Sequence, residues 1–373
     1  MKIAIVVSYT FPYIGSGIGN VALKQAEELA KRGHKVTLIS SNIPKTKKEF
    51  RRKNVKHFKL KSTNFLERFK IPVPIFLPTN KLISKIKEAE IIHIHDVLYP
   101  SSIFAAFFAK IFKKPIILTQ HIGFVYYKNK VARLIERLMY LTFGRILFKL
   151  SKKIIVLNSS VRDYIIKLGA DENKISYIPN GVETLLFSPA SAERKKTIRR
   201  RYSFPLNKPI ILFVGRLVEK KGFDKLFDAR DKDYLIVFVG EGEVPKYMRE
   251  DKNVIFFGKV PPNKLSEIYK ASDVFCLPSN GEGFPLSIQE AMATGLPIIT
   301  TNHPGYNRYL DKKHVKLINP TAEHIKKVIN EIISNSSLIK KMSKYSKKAA
   351  TKEFNWDRNI NNLIKIYEKV NGK

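Results

Sequence analysis

The sequence predicts an α/β protein of two domains, each organised around a parallel sheet. Two halves of the chain repeat the same order of apolar strand, glycine-rich turn, helix and further strand. A polar, basic run at 188–202 separates them, as domain boundaries often do. The 373 residues, 44% hydrophobic and 11% aromatic, are enough for two ordinary cores.

The first half opens with the apolar strand Ile3 to Val7, a loop with Gly15, Gly17 and Gly19, and a helical pattern through Val21, Leu23, Ala26, Leu29 and Ala30. Gly33 ends that helix, and His34 to Ser40 reads as the second strand of a parallel unit. Such a loop lets backbone approach a phosphate or a sugar. A dinucleotide fingerprint would need G-x-G-x-x-G and an acidic residue closing the second strand; Ser40 and Ser41 stand there instead, which argues against a nicotinamide site.

Residues 45–70 mix lysine and arginine with Phe50, Phe58, Leu60, Phe65, Leu66 and Phe69. This composition suits a helix lying on an anionic membrane surface, a nucleic-acid groove, or a solvated basic face. Ile91 to His95, closed by Asp96, and Pro115 to His121 are the next strands, with an apolar helix over 101–112 between them. Both deliver a histidine to a carboxyl end, where ligands sit in open parallel sheets. His95 and His121 read as hydrogen-bonding groups and His93 as a satisfied core histidine. No third or fourth ligand follows at a metal-binding spacing, so no metal site is predicted.

A second basic and apolar stretch covers 128–153, another candidate lipid surface. Strand Ile154 to Asn158, helix Val161 to Leu168, and a strand into the turn Ile178-Pro179-Asn180-Gly181-Val182-Glu183 complete the first half.

The second half restarts with the buried strand Ile210 to Gly215 and the charged turn Arg216 to Lys221 before a helix from Phe223 to Asp228. Arg216 and Lys221 stand where a strand hands over to a helix. They could grip a diphosphate, one by a bidentate fork and the other as a point charge, or belong to a solvated turn. Strands Leu235 to Val239 and Val254 to Phe257 end in glycine turns. Strand Val274 to Leu277 then leads through Gly281, Glu282, Gly283, Phe284 and Pro285 into a helix from Leu286 to Thr294. The amides of that helix start favour an anion or electron-rich sugar oxygens. Glu282 before the helix and Glu290 inside it are separated by about five helical residues at ~1.5 Å rise each, so they read as clamps on two parts of one extended ligand.

Charge and cysteine content narrow the class. Lysine and arginine total 68 against 32 aspartate and glutamate, a net charge of +36, which calls for an anionic partner. Nucleic acid, an anionic membrane and phosphorylated small molecules all satisfy it. No apolar run approaches the ~20 residues that cross a bilayer, and the first residues read as a strand rather than a signal peptide. The one cysteine, Cys276, lies in an apolar strand and can form no intramolecular disulfide. A reducing, cytoplasmic setting is expected, with possible attachment to the inner face of the membrane.

Taken together, the Gly15 to Gly19 loop with Arg32-Gly33-His34, His95-Asp96, Thr119-Gln120-His121, Ile178 to Glu183, Val214-Gly215-Arg216-Leu217 with Lys220-Lys221-Gly222, and Glu282-Gly283-Phe284-Pro285 with Glu290-Ala291 resemble the retaining glycosyltransferases of family 4. The order and spacing carry this resemblance, and the E-x7-E pattern of Glu282 and Glu290 is its most specific part. It implies the GT-B fold, two facing Rossmann-like domains with parallel sheets and an interdomain cleft whose closure excludes water. The implied boundaries are an acceptor-side domain of 1–187 plus 353–373, a linker at 188–207, and a nucleotide-sugar domain at 208–352. Phe354-Asn355-Trp356-Asp357 and the helix to Val370 resemble the terminal segment that returns to the first domain.

The resemblance also assigns roles. Arg216 and Lys221 would neutralise the donor diphosphate as the nucleotide leaves. Glu290 would accept hydrogen bonds from the ribose, and Glu282 would hold the transferring sugar. The backbone of Gly283, Phe284 and Leu286 would approach that sugar's hydroxyls. Gly215 belongs to the same donor site, and the turn to Val260 would flank the base. His121 would face the sugar, and Gly17 would line the cleft, with His95, Asp96 and Asn180 toward the acceptor. A nucleotide sugar is then a co-substrate, no metal is expected, and the acceptor is a glycan or a lipid-linked molecule. An anionic membrane surface could be met through 45–70 and 128–153. Ser16-Gly17 replaces the usual glycine pair and Glu183 the usual aspartate, departures that bear on the acceptor side. The competing readings are a nucleic-acid-binding protein on a degenerate scaffold and a sugar-nucleotide epimerase of the same fold. The retention of Arg216, Lys221, Glu282 and Glu290 together argues against the first, and the motif order against the second.

Overall fold

The structure is a computed structural model that describes residues 1–10, 17–43, 49–63, 74–76, 79–123, 130–280 and 284–372. It divides into two compact units, Met1–Asn180 with Asp357–Lys373, and Gly181–Trp356.

In the first unit the strands are β1 (Lys2–Val6), β2 (Lys35–Ser41), β3 (Glu49–Arg52), β4 (Val55–Leu60), β5 (Ser62–Thr63), β6 (Ile75–Phe76), β7 (Ile91–His95), β8 (Ile116–Gln120), β9 (Ser151–Val156) and β10 (Ile175–Tyr177). Among the described residues eight of them form one sheet, ordered β10-β9-β8-β7-β1-β2-β4-β3. All neighbours run parallel except β3 against β4. The apolar runs explain this: Ile3 to Val6, Ile91 to Ile94 and Ile116 to Leu118 are buried, apart from His93 without a polar side chain, as strands covered on both faces require. The helices are α1 (Gly17–Lys31), α2 (Asn80–Glu88), α3 (Pro100–Ile111), α4 (Lys130–Met139), α5 (Arg145–Leu150) and α6 (Ser159–Lys167), with a π-helical turn at Tyr140–Gly144 joining α4 to α5.

The second unit holds α7 (Ala192–Arg201), α8 (Phe223–Asp228), α9 (Lys246–Arg249), α10 (Pro262–Ala271), α11 (Leu286–Ala293), α12 (Ala322–Ile333) and α13 (Ser336–Glu353), while α14 (Trp356–Val370) passes into the first unit at Asp357. Its strands are β11 (Ile210–Val214), β12 (Leu235–Val239), β13 (Val254–Phe257), β14 (Val274–Leu277), β15 (Ile298–Thr301) and β16 (Lys316–Ile318), all parallel in the order β13-β12-β11-β14-β15-β16. The direction of winding reverses between β11 and β14. Cys276 on β14 is fully buried, and burial raises its thiol pKa, as a structural cysteine requires.

Residues 188–207 are not a linker: α7 packs on α10, and Arg199 is buried with its guanidinium donating to the Ala271 carbonyl at 2.9 Å, to the carboxylate of Asp273, and to carbonyls of Pro205, Leu206 and Lys208. A buried arginine whose donors are met by carbonyls and a carboxylate fastens this segment to its unit. The two compact units meet along the chain at Asn180 and at Trp356, beside the expected bounds of 187 and 353.

The described part of the basic stretch at 45–70 is strand rather than a surface helix. Its described part forms β3, β4 and β5, and β4 pairs in parallel with β2. Phe58 and Leu60 enter the core, and Lys59 is buried with its ammonium donating to Ser40 Oγ at 2.8 Å. Burial lowers that lysine to about 8. Residues 44–48 and 64–70 lie outside the described residues. Within the second basic stretch, α4, the π-helical turn and α5 cover 130–150, and 151–153 begin β9.

Candidate active site

The second unit's site grows from the carboxyl ends of β11 and β14, the point where strand order reverses and where open α/β sheets bind ligands. After β11 the chain passes Gly215 and the exposed Arg216, makes a 3-10 turn over Glu219–Lys221, and enters α8. Gly222 joins them at φ 70°, and a Cβ there would overlap the Pro278 carbonyl at the end of β14. Only glycine accepts both the left-handed backbone and this approach. The two loops are joined directly as well, Asn280 N–H donating to the Lys220 carbonyl at 2.9 Å. A Cβ on Gly215 would lie 3.8 Å from Lys221 Cδ, so the lysine stem runs beside the strand end.

The loop after β12 closes the other flank. Gly240 N–H donates to the Phe257 carbonyl at 3.1 Å and Leu217 N–H to the Glu241 carbonyl at 2.7 Å. Lys259 pairs with Glu241 at 3.4 Å, and Val260 packs half-buried against the unit's core. Gly222→Ala is expected to lower the melting temperature, because a methyl group there must separate the β11 and β14 loops; equilibrium unfolding checks it.

Of the E-x7-E pair, Glu290 is described, whereas Glu282 and Gly283 lie outside the described residues. Glu290 sits in α11 and its carboxylate accepts from the Tyr269 hydroxyl at 3.0 Å, a hydroxyl that also reaches the Ser287 carbonyl at 3.1 Å. Burial raises the Glu290 carboxyl to about 7 against the lowering effect of the Tyr269 hydrogen bond. Leu286 opens α11 behind Pro285, so the first helix amides have no partner in the helix. The Phe284 ring is buried against Tyr309 at 4.8 Å and Phe354 at 5.3 Å; its side chain is core, leaving only its backbone for a ligand. Tyr269 escaped the sequence reading because nothing local marks it; only the tertiary fold brings its hydroxyl to Glu290.

The first unit gathers its own polar cluster at the carboxyl ends of β7 and β8. His95 Nδ1 and His121 Nε2 lie 2.8 Å apart with rings stacked at 5.1 Å. One nitrogen must donate and the other accept, so the tautomers of the two imidazoles are linked. Burial lowers His121 to about 3 and His95 well below its ordinary value, which keeps both neutral. Asp96, at φ 62°, accepts from the His121 backbone N–H at 2.8 Å. Burial pushes its carboxyl up to about 7, opposed by hydrogen bonds from the His121 and Ile122 backbone. His93 is the satisfied core histidine expected, bonded to Tyr367 and Thr119 at 2.7 Å each. His95 Nε2 and Asp96 Oδ2 are buried without a hydrogen-bond partner among the described residues.

Gly17 starts α1, and the loop residues 11–16 before it lie outside the described residues. Asn180 does not join the histidines: it follows β10, separated from β8 by β9, with its carbonyl accepting from Asn359 Nδ2 at 3.3 Å. Among the described residues no group of three or more His, Cys, Asp or Glu could hold a metal ion, and no helix is long and apolar enough to cross a membrane.

Two parallel-sheet units of this kind define the GT-B architecture of glycosyltransferases, and comparison with solved structures agrees. The chain superposes on Anabaena HepE in complex with UDP with a TM-score of 0.78 at 15% identity, covering 99% of this chain and 100% of that one. Residues 15–185 match the model of Glycosyltransferase Family 4 and residues 194–349 that of Glycosyl transferases group 1. An Escherichia coli UDP-Gal:alpha-D-GlcNAc-diphosphoundecaprenol alpha-1,3-galactosyltransferase is 30% identical over 312 residues, 77% of each chain. An uncharacterized glycosyltransferase of Methanocaldococcus jannaschii is 24% identical over 99% of each chain. The protein belongs to glycosyltransferase family 4, group 1, and is a glycosyltransferase. These relatives support neither the nucleic-acid nor the epimerase reading.

Proposed function

We propose that the protein transfers a sugar, with retention of anomeric configuration, from a nucleoside-diphosphate sugar to a glycan or lipid-linked acceptor at the cytoplasmic face of a membrane. The observation that carries this is the direct joining of the Arg216–Lys221 turn to the loop before α11 at the strand-order reversal. That junction sets the turn carrying Arg216 and Lys221 beside the loop that leads into the helix of Glu290, which supports a shared donor site. The E. coli relative's named donor and lipid diphosphate acceptor support the substrate classes.

In this reading Arg216 and Lys221 take the charge that develops on the leaving diphosphate, so no metal cofactor is assigned. Glu290, ionised when donor binds, accepts from the ribose hydroxyls. Glu282 and the backbone of Gly283, Phe284 and Leu286 hold the transferring sugar, and Gly215 and Val260 complete the donor site. Gly17 borders the diphosphate. His121 offers a neutral imidazole to the sugar, its tautomer set by His95, with Asp96 fixing the loop and Asn180 toward the acceptor. The donor phosphate takes the acceptor's proton as the new bond forms on the face the nucleotide leaves.

A panel of nucleotide sugars screened by thermal melting tests the proposal. A true donor at 100 times its Kd adds about 2.7 kcal/mol to native-state stability, a shift of several degrees. Stabilisation by no nucleotide sugar or free nucleoside diphosphate would remove the assignment.

A further inference from the structure

We propose that the helical segment 130–150, together with the exposed edge of α3, is a docking surface for an anionic lipid bilayer. The proposal deepens the reading of an acceptor held in a membrane, and rests on it for what docking serves.

The observation is an apolar face left bare on a well-anchored helix. Leu134, Leu138 and Leu141 recur at spacings of four and three and are exposed, Leu134 at 58%. Phe143 and Ile146 follow, and Phe107 on the packed neighbour α3 is 56% exposed. Phe107, Phe143, Ile146 and Leu150 also line a groove of about 200 Å³ between α3 and α5. Scattered exposed apolar residues are ordinary; this many bulky ones on one segment and its neighbour mark an interaction surface. The segment is held from behind, since Tyr140, Leu147 and Phe148 are buried. The Tyr140 hydroxyl accepts from Gln120 Nε2 at 3.1 Å and donates to the Gly123 carbonyl at 3.2 Å, so the docking helix grips the residues on either side of His121.

Charge selects the occupant. Residues 130–153 carry Lys130, Arg133, Arg137, Arg145, Lys149, Lys152 and Lys153 against Glu136 alone, which is buried. Residues 100–114 carry Lys110, Lys113 and Lys114 and no carboxylate. Apolar side chains interspersed with cations match a bilayer interface: the former enter the acyl boundary while the long cationic stems reach anionic headgroups. A second copy would set this cationic surface against itself in a self-complementary dimer. Nucleic acid would leave the leucines and Ile146 without a partner.

Flotation of the full chain with vesicles of phosphatidylcholine alone, and of phosphatidylcholine mixed with phosphatidylglycerol, tests the surface. The chain is expected to float with the anionic vesicles only, less so as salt is raised. Leu138→Asp with Ile146→Asp is expected to cut the floated fraction by about tenfold or more. Because both side chains are exposed, the variant keeps its melting temperature and its stabilisation by nucleotide sugar. Equal flotation with both vesicle types, none with either, or undiminished flotation of the folded double variant overturns the proposal. So does a dimer in sedimentation equilibrium that the double variant splits. Donor-induced stabilisation reports on the enzyme reading and flotation on the docking, so either can fail alone.

Discussion

Lys221→Ala is expected to lower sugar transfer by about 10²–10³-fold while the protein stays folded, the loss of one preorganised charge donor from a site where negative charge develops. Arg216→Ala should act on the same scale, and Arg216→Lys should recover only part, because an ammonium cannot reproduce a guanidinium's two parallel donors. Both residues belong to the turn between β11 and α8 and are proposed to meet one diphosphate, so the double variant should lose less than the product of the single losses. The effect should fall mainly on kcat, since the leaving nucleotide carries more charge in the transition state than in the bound donor. Steady-state kinetics of purified variants checks this, with melting curves to establish folding. Near-normal kcat in either alanine variant would take the residue out of the proposed machinery.

The scaffold that aims these side chains was readable because its strands are short apolar runs closed by turn residues: Asp96, Gly240 and Pro278. Ile91–His95, Leu235–Val239 and Val274–Leu277 end where their patterns end. The same logic failed at β4, where Lys59 and His57 occupy buried positions. Periodicity assumes that polar residues face water, and a lysine bonded to Ser40 inside a sheet removes that assumption. At 188–207 the arginines suggested a solvated linker because sequence cannot show that the Arg199 guanidinium meets a carboxylate 74 residues away.

Site chemistry divides the same way. The handover from β11 to α8 lies within one short segment, so Arg216 and Lys221 could be singled out together. The link between His95 and His121 depends on β7 lying beside β8 in the register that opposes His95 to Thr119, which places His121 just past the strand end. Spacing along the chain identifies both histidines as strand-end groups; only the pairing makes them share a proton.

Glu290→Gln is expected to separate stability from function, and the sign follows from its environment. Burial raises the Glu290 carboxyl to about 7 in the unliganded protein, above its ordinary 4.5. Between those values the native state holds a proton that the unfolded chain releases, so native stability falls as pH rises through this window and then levels off. Glutamine cannot ionise. The variant should therefore match wild type near pH 4 and exceed it at pH 8 by about 1–2 kcal/mol, discounted for the partly accessible side chain. Donor binding has the opposite sign: ribose hydroxyls donate to the ionised form, so wild-type affinity should rise as pH climbs toward 7 and binding should release a proton near neutrality. In the variant the pH dependence should flatten and transfer fall by about 10²-fold or more, the cost of losing a charged acceptor from a buried contact. Calorimetric titration of a nucleotide sugar, whose diphosphate diester does not titrate near neutrality, in buffers of different ionisation enthalpy measures the proton, with Glu290→Gln as the control. Proton uptake, or an affinity in wild type that ignores pH between 5 and 8, would mean that Glu290 does not read the ribose as an anion, and its buried bond to Tyr269 would then be structural.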